Sequence, residues 1–297
     1  MDTALEADLF PGFAEHRIDT GEAAIYARVG GQGPPLLLLH GYPQTHAMWH
    51  AIAPALAERF TIVAADLRGY GRSSKPPTTA DHEPYSKRAM ARDQVAVMRS
   101  LGFERFFVAG HDRGARCAYR MAIDHPERVA KLAILDIIPT SETLRRADRE
   151  FLLGYWHWGF LAQPYDLPER LVGADPDAFF FRTDRAVFSA AAFADYRRAY
   201  RDPATIHAMC EDYRAGVTLD AEHDEVDRGR RRVRAPLLAL WGSRSKIQQW
   251  YDVLAIWREW ADDVHGRSID AGHYLAEEAP AEVLSAFLQF FADSPPR

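Results

Sequence analysis

Residues 110–114 have the sequence Gly-His-Asp-Arg-Gly, and this stretch decides the fold. It follows an apolar run, residues 105–110, that predicts a strand, and it opens a helical pattern over residues 114–125. So tight a turn between strand and helix needs small residues, which the two flanking glycines supply. The context is that of a nucleophile elbow, a turn that exposes one side chain above a sheet. The exposed side chain here is Asp112, whose alternative role is that of a helix N-cap.

Strand and helix patterns alternate along most of the chain. Apolar runs predict strands over residues 23–29, 35–40, 60–66, 105–110, 129–137, 235–241 and 264–269. Helical patterns cover residues 48–59, 86–101, 114–125, 251–260 and 281–291. This alternation with short turns is typical of a parallel sheet with helices on both faces, an α/β architecture.

Residues 141–227 interrupt the alternation. They contain no comparable buried strand pattern and are rich in aromatic residues and helical patterns broken by prolines. A helical insertion in such a sheet is typical of a lid that closes a site and excludes water. We therefore predict a core formed by residues 1–140 and 231–297, with an inserted helical cap formed by residues 141–230.

Two further residues stand where a sheet of this kind presents its site. Asp136 lies at the end of a predicted strand, and His273 follows a late strand and precedes a helix. The order Asp112, Asp136, His273 is the chain order of nucleophile, acid and histidine in the α/β-hydrolase fold. The sequence therefore predicts this fold, with a mostly parallel central sheet flanked by helices and Asp112, Asp136 and His273 as a catalytic triad.

The turn after the second predicted strand completes the pattern. Residues 40–43 have the sequence His-Gly-Tyr-Pro. In the α/β-hydrolase fold this turn supplies a backbone N–H to the oxyanion hole, and the residue after the nucleophile supplies another. The backbone N–H groups of Tyr42 and Arg113 are therefore the predicted oxyanion donors.

An aspartate at the elbow changes the chemistry. A carboxylate oxygen attacks an sp³ carbon, displaces a leaving group and forms an ester between enzyme and substrate. A histidine, His273, oriented by Asp136, then activates the water that attacks the ester carbonyl. Such chemistry suits alkyl halides and epoxides, whereas ordinary ester hydrolysis uses serine.

Two arginines follow Asp112 closely and indicate a charged substrate. Arg113 and Arg116 can both project from the first turn of the helix. Two carboxylates about 5 Å apart repel by roughly 3 kcal/mol at an effective dielectric near 20, and guanidinium groups offset that repulsion. We therefore predict a substrate carboxylate held by Arg113 and Arg116, the alternative being that one of them pairs with a structural acid.

The insertion carries side chains that can bind a departing halide. His157, Trp158 and Tyr213 bring imidazole, indole and phenol donors, and the loss of one preorganised donor costs about 2.7–4 kcal/mol in the transition state. The alternative interpretation is that these aromatic side chains serve packing.

Composition excludes several classes of function. The 297-residue chain has a net charge of −6, which argues against nucleic acid as a partner, and its longest apolar runs are too short for a membrane span. The acids of residues 220–227 precede the arginine-rich residues 228–234, which predicts a solvated surface. Cys117 and Cys210 form neither a disulfide framework nor a metal cluster. Residues 1–8 lack the basic and apolar regions of a secretory signal, so we expect a cytoplasmic protein.

The chain resembles the fluoroacetate dehalogenases, a family of haloacetate dehalogenases with the α/β-hydrolase fold. The resemblance runs from residue 9 to residue 280. It is carried by residues 40–45 (His-Gly-Tyr-Pro-Gln-Thr), 110–116 (Gly-His-Asp-Arg-Gly-Ala-Arg), 135–140 (Leu-Asp-Ile-Ile-Pro-Thr), 157–164 (His-Trp-Gly-Phe-Leu-Ala-Gln-Pro) and 210–216 (Cys-Glu-Asp-Tyr-Arg-Ala-Gly). Tyr42 and Tyr274 stand where phenylalanine is common in the family, and each adds a hydroxyl near the predicted site.

The resemblance implies a role for each matching position. It implies Asp112 as nucleophile, His273 as base and Asp136 as its partner. It implies Arg113 and Arg116 for the substrate carboxylate, and a halide pocket made by His157, Trp158 and Tyr213. It also implies glycolate and fluoride as products, no cofactor or metal, and a homodimer acting on a small haloacid.

Three other functions remain open. An epoxide hydrolase uses the same triad and protonates its substrate with lid tyrosines, for which Tyr213 and either Tyr155 or Tyr165 are candidates. A dehalogenase that prefers chloro- or bromoacids differs only in its relative rates. A ligand-sensing homologue with little turnover would bind a small molecule without releasing product.

Overall fold

The computed structural model describes residues 8–180 and 185–292. Within these ranges the chain forms an eight-stranded sheet flanked by helices. The strands are β1 (Ala14–Asp19), β2 (Ala24–Gly30), β3 (Pro35–Leu39), β4 (Thr61–Ala65), β5 (Phe106–His111), β6 (Val129–Leu135), β7 (Leu237–Gly242) and β8 (Val264–Ile269).

The α-helices of the described residues lie on both faces of the sheet and in the insertion. They are α1 (Ala53–Leu56), α2 (Lys87–Ser100), α3 (Arg113–Asp124), α4 (Thr140–Arg145), α5 (Arg149–Gly154), α6 (Trp156–Leu161), α7 (Leu167–Ala174), α8 (Pro176–Phe180), α9 (Ala190–Tyr200), α10 (Pro203–Val217), α11 (Leu219–Asp227), α12 (Lys246–Trp250), α13 (Val253–Trp260), α14 (Leu275–Glu278) and α15 (Pro280–Phe291). Short 3₁₀ helices occupy His46–Trp49, Glu83–Tyr85 and Arg185–Val187.

The strand order is β1-β2-β4-β3-β5-β6-β7-β8. The strands β1, β2 and β4 pair antiparallel, and every other neighbouring pair is parallel. The central strand β3 is covered on both faces, because Leu36, Leu37, Leu38 and Leu39 have no exposed surface. The carboxyl ends of the parallel strands share one edge, where β3, β5, β6 and β8 lead into the segments that bear the predicted site residues.

Several predicted bounds match the structure closely and others do not. Strand β8 has the predicted bounds, and α3 begins and ends one residue before the prediction. The predicted helix over residues 48–59 is divided into a 3₁₀ helix and α1. Pro54 lies in the first turn of α1, where its missing N–H favours a new helix start over a continuous helix. Strand β1 was not predicted, because its largely exposed residues contain no apolar run.

The helices α4 to α11 lie between β6 and β7, and we call residues 140–227 the helical insertion. The described residues of this stretch form no strand, which agrees with the helical content expected there. The division into core and cap remains a prediction. Residues 1–7, where the sequence predicts no secretory signal, lie outside the described residues. In the parts of the chain that the structure describes, every helix is too short or too polar to traverse a bilayer.

Candidate active site

At two glycines of the elbow after β5, neighbouring backbone segments lie too close together for a side chain to fit between them. A Cβ on Gly110 would lie 2.6 Å from the backbone of Gly114, and a Cβ on Gly114 would lie 2.3 Å from the carbonyl oxygen of His40. Neither space admits a side chain. Between them Asp112 has φ of +46° and ψ of −112°, a conformation that non-glycine residues rarely adopt. The sequence therefore builds the strained turn that a nucleophile elbow needs.

The carboxylate of Asp112 faces a backbone donor rather than its own helix. The N–H of Tyr42 donates a 3.0 Å hydrogen bond to Asp112 Oδ1. Among the described residues the carboxylate makes no capping bond to α3, which removes the helix N-cap as its role. Burial raises the pKa of Asp112, but the charges of His273, His111, Arg113 and Arg116 outweigh it and bring that pKa to about 2. The group is therefore an anion at neutral pH.

The second carboxylate, Asp136, orients the histidine. His273 Nδ1 lies 2.6 Å from Asp136 Oδ2, and the backbone N–H of Gly242 donates to Asp136 Oδ1 over 2.9 Å. A carboxylate accepts, so the histidine proton resides on Nδ1 and leaves Nε2 able to accept another. Burial lowers the pKa of His273, yet the hydrogen bond and charge of Asp136 raise it above its ordinary value. Asp112, Asp136 and His273 therefore form the geometry of a base held by an acid next to a nucleophile.

His111 fixes the backbone beside the histidine. Its Nε2 lies 2.8 Å from the carbonyl oxygen of His273, so it donates that hydrogen bond. Burial chiefly lowers the pKa of His111, to about 3, which keeps the ring neutral. The sequence patterns assign no role to His111, although its position directly before Asp112 indicates that it lies close to the site.

A cavity of about 350 Å³ opens above the sheet edge between core and insertion. Its floor holds Asp112, Asp136 and His273, and Arg116 also lines it. The other residues of its wall are Tyr42, Pro43, Gly154, Tyr155, His157, Trp158, Phe179, Phe180, Tyr213, Arg244, Ser245, Lys246, Ile247 and Tyr274.

The three predicted halide-binding residues lie in one aromatic cluster on the insertion side. The ring of His157 stacks on Tyr42 at 6.0 Å and meets Tyr213 edge-on at 5.7 Å. The Tyr213 ring in turn meets Trp158 edge-on at 5.9 Å and Tyr42 at 5.1 Å. These residues line the cavity and pack against one another, so they do serve packing, and halide binding stays a prediction.

Arg116 enters the cavity as a cation held by neutral acceptors. Its Nη1 donates to the carbonyl oxygen of Ile138 at 3.2 Å and to Thr140 Oγ1 at 3.0 Å. Its guanidinium lies 4.7 Å from the centre of the Trp158 ring. Its Nε is buried and has no hydrogen-bond partner within the described ranges. A guanidinium that lines a cavity and has no acidic partner in the described residues is a group at which we expect an anion to bind.

Arg113 differs because it already has an acidic partner. Its Nε donates to Asp212 Oδ2 at 3.0 Å, and its Nη2 donates to the Asp212 carbonyl oxygen at 2.6 Å. Lys87 and Tyr70 bind the same carboxylate. Burial raises the pKa of Asp212, but the charges of Arg113 and Lys87 outweigh burial and bring that pKa below its ordinary value, so the acid stays ionised.

The pairing was one of the two alternatives that the sequence left open for Arg113. Its side chain is fully buried, and the described lining of the cavity includes Arg116 but not Arg113. Its Nη1 has no hydrogen-bond partner in the described part of the chain. Its guanidinium lies 4.4 Å from the centre of the Tyr213 ring. Arg113 therefore lies behind the aromatic wall with one donor free.

Several site residues were absent from the sequence-based prediction. Asp212 pairs with Arg113 across 99 residues of sequence, a distance that no local pattern reveals. Lys246 and Arg244, which the sequence does not single out, border the cavity on the core side. Tyr274, whose hydroxyl the sequence places near the site, lines the cavity beside His273. Tyr155 lines the cavity, whereas Tyr165, its alternative in the epoxide-hydrolase reading, is 90% exposed. In residues 8–180 and 185–292, the structure contains no cluster of three acidic, histidine or cysteine side chains arranged for a metal ion.

Comparison with known proteins agrees with this fold. A family model described as the alpha/beta hydrolase fold matches residues 34–280. A fluoroacetate dehalogenase from a Burkholderia sp is 44% identical over 293 residues, which is 96% of each chain. A soluble epoxide hydrolase from Corynebacterium sp. (strain C12) is 34% identical over 275 residues, covering 88% of this chain and 91% of that protein. The solved structure of a candidate alpha/beta hydrolase from Nostoc sp PCC 7120 superimposes with a TM-score of 0.93 at 53% identity, over 95% of this chain and 99% of the other.

Proposed function

The chain belongs to the α/β-hydrolase family, and from that premise we propose that it hydrolyses the carbon–halogen bond of haloacetates. The substrate we favour is fluoroacetate, which would give glycolate and fluoride. The observation that carries the proposal is Arg116, a buried cation without an acidic partner among the described residues, in the same cavity as Asp112. A neutral substrate has no use for such a cation, whereas a substrate carboxylate does.

The first step is a displacement at carbon. Because Tyr42 engages Asp112 Oδ1, the other oxygen, Oδ2, is the one assigned to attack the CH₂ carbon. The carbon–fluorine bond breaks as the Oδ2–carbon bond forms, and fluoride leaves with the bonding electrons. The pKa of Asp112, about 2, keeps it ionised for this attack.

The second step hydrolyses the ester. His273 Nε2 removes a proton from water, and the resulting hydroxide attacks the Asp112 carbonyl carbon. Negative charge develops on Oδ1, where the Tyr42 N–H lies ready to stabilise it. Collapse of the tetrahedral intermediate breaks the bond between the carbonyl carbon and Oδ2, which leaves as the hydroxyl oxygen of glycolate and takes the proton of the added hydroxyl group. The oxygen from water completes the restored carboxylate, and the proton on His273 passes to solvent.

We assign the substrate carboxylate to the guanidinium of Arg116, which lines the cavity. Arg113, which the sequence pairs with it in this role, is held by Asp212 behind the Tyr213 ring and supports the site from there. To the departing fluoride we assign the N–H and O–H groups of His157, Trp158 and Tyr213. Fluoride is a poor leaving group, so donors that stabilise it in the transition state matter most for this halogen.

Fluoride release from fluoroacetate by purified protein tests the proposal, with Asp112→Ala as control. We expect release by the wild type and a loss of at least about 10³-fold in the variant, the scale on which enzymes lose rate without their nucleophile. Equal release by the variant would show that Asp112 is not the nucleophile. A folded wild type that releases no halide from fluoroacetate or chloroacetate would contradict the proposal.

Epoxide hydrolysis is the second candidate, favoured by one specific observation. Tyr155 and Tyr213 both line the cavity, and two phenols can protonate the oxygen of an opening epoxide. Burial holds the pKa of each phenol well above its ordinary value, so both carry a proton at neutral pH. Turnover of styrene oxide without halide release from haloacids would favour this candidate.

A further inference from the structure

A half-buried acid outside the triad, Glu277, joins three elements around the cavity floor. It lies in α14, four residues after His273. On one side the hydroxyl of Tyr196, in α9 of the helical insertion, donates to Glu277 Oε1 over 2.9 Å. On the other side the amide of Gln44 donates to Glu277 Oε2. Gln44 belongs to the turn that carries the Tyr42 N–H, so one carboxyl group ties that turn to the insertion and to the histidine loop.

A second contact of the same turn strengthens this connection. Thr45, which follows Gln44, donates from Oγ1 to Asp195 Oδ2 over 2.5 Å. Asp195 and Tyr196 are neighbours in α9, so two consecutive residues of the turn meet two consecutive residues of the helix. The turn is therefore anchored to α9 directly through Thr45 and, through Glu277, by way of Gln44.

The anchor acts by hydrogen bonding more than by charge. Burial raises the pKa of Glu277 to about 8, although the hydrogen bonds from Tyr196 and Gln44 oppose that rise. Burial therefore disfavours a negative charge on this group, whose two oxygens both accept hydrogen bonds. The Gln44 amide donates through its nitrogen, Nε2, while its oxygen, Oε1, is buried and has no partner in the described residues. This amide can therefore turn over and still bind a neutral side chain at position 277.

We propose that Glu277 is a positioning residue that holds the Tyr42 N–H in place for the ester-hydrolysis step. The proposal rests on the aspartyl-ester mechanism proposed above. Tyr42 donates to Asp112 Oδ1, and from the same turn Gln44 donates to Glu277 and Thr45 donates to Asp195. A displacement of about 1 Å in a catalytic group can cost on the order of 10²-fold in rate, so a loosened turn is costly.

The two chemical steps respond differently to such a loosening. In the displacement step, negative charge moves away from Asp112 toward the leaving group, so the hydrogen bond from the Tyr42 N–H does not become stronger in that transition state. In the hydrolysis step, negative charge accumulates on Asp112 Oδ1 and the same N–H becomes more important. Loss of the anchor therefore slows hydrolysis more than ester formation, and the covalent ester accumulates.

The test compares Glu277→Ala with Glu277→Gln under rapid mixing and acid quench. The substrate is the one the wild type turns over among fluoroacetate, chloroacetate and styrene oxide, and the readouts are product burst and intact protein mass. We expect Glu277→Ala to show a burst followed by roughly tenfold slower turnover, less than the about 10²–10³ lost when an oxyanion donor is removed outright. The protein mass should increase by one substrate-derived adduct.

Glu277→Gln keeps the size and the hydrogen-bonding groups, and it should restore most of the hydrolysis rate. The matched control is Glu282→Ala, a surface acid of α15 paired with Arg267, which should leave both steps unchanged. If Glu277→Ala instead slows ester formation and hydrolysis equally, with no adduct, then Glu277 merely stabilises the fold and the proposal is wrong.

Tyr196→Phe provides a second route if Glu277→Ala does not fold. It removes one hydroxyl from the same anchor and should give a smaller adduct accumulation of the same kind. Wild-type rates at both steps in this variant would also overturn the proposal. A wild type that turns over none of the three substrates would instead overturn the aspartyl-ester mechanism, so the two failures are distinguishable.

Discussion

The cavity has a core wall, which carries Asp112, Asp136 and His273, and an insertion wall, which carries His157, Trp158 and Tyr213. Different kinds of contact hold the two walls in place. On the core wall, Asp112 and Asp136 both have positive φ, and their backbone N–H groups donate to Leu135 at 3.2 Å and Leu240 at 2.8 Å. Each side chain is then fixed by a further backbone donor of the core. On the insertion wall, the halide-binding candidates meet one another and Tyr42 through ring contacts with centroids between 5.1 and 6.0 Å apart, and arginine guanidinium groups lie over the rings of Tyr213 and Trp158. The core wall is positioned by directional bonds and the insertion wall by shape.

This difference indicates that the core wall carries out the reaction and the insertion wall selects the substrate. Bond making needs reacting atoms held within a few tenths of an ångström, which hydrogen bonds to a sheet edge provide. Aromatic packing fixes position less tightly and can be altered by a neighbouring side chain without disturbing the sheet. We therefore expect changes in the core wall to abolish steps of the reaction and changes in the insertion wall to alter preference among substrates.

The largest effect should come from His273→Ala on the core wall. Without a general base, ester hydrolysis should slow by about 10²–10⁴-fold while the displacement by Asp112 continues. One equivalent of halide should therefore be released and then stop, with the ester retained on the protein. Mass spectrometry of the quenched protein and halide measurement with time check this result. Continued multiple turnover in His273→Ala would mean that another group activates the water.

Arg116 lies where the two walls meet and tests substrate charge. Arg116→Met should lower kcat/KM for chloroacetate by about 100-fold, because charge-assisted hydrogen bonds are worth about 1.5–3 kcal/mol each. The matched substrate is chloroacetamide, which has nearly the same size and no charge, and its turnover should change little.

Arg116→Lys keeps the charge but loses Nε, and it should fall between the wild type and Arg116→Met. Thermal unfolding of both variants shows whether the fold persists, because Arg116 also donates to Ile138 and Thr140. An equal loss for acid and amide would contradict the assignment of Arg116 to a substrate carboxylate.

The same contrast explains what the sequence predicts and what it does not. The elbow at Asp112, the acid Asp136 and the late His273 each occupy a strand end, so local patterns and chain order bring them together correctly. The partner of Arg113 is Asp212 and that of Gln44 is Glu277, and both pairs join segments far apart in sequence. The first contact depends on how the helical insertion packs on the core, and the second on how two distant segments of the core meet, and no local periodicity encodes either.

The smallest effect should come from Tyr213→Phe on the insertion wall, which removes one hydroxyl and keeps the ring contacts with Tyr42, His157 and Trp158. Fluoride depends more than chloride on donors in the transition state, so the rate with fluoroacetate should fall about tenfold relative to chloroacetate, corresponding to roughly 1.5 kcal/mol for one hydrogen bond to an anion. Side-by-side kcat/KM values for the two haloacetates measure this ratio. An unchanged ratio would assign Tyr213 to packing alone. A loss of styrene oxide turnover with no change for either haloacetate would assign its hydroxyl to epoxide protonation, and the insertion wall would then select for an epoxide.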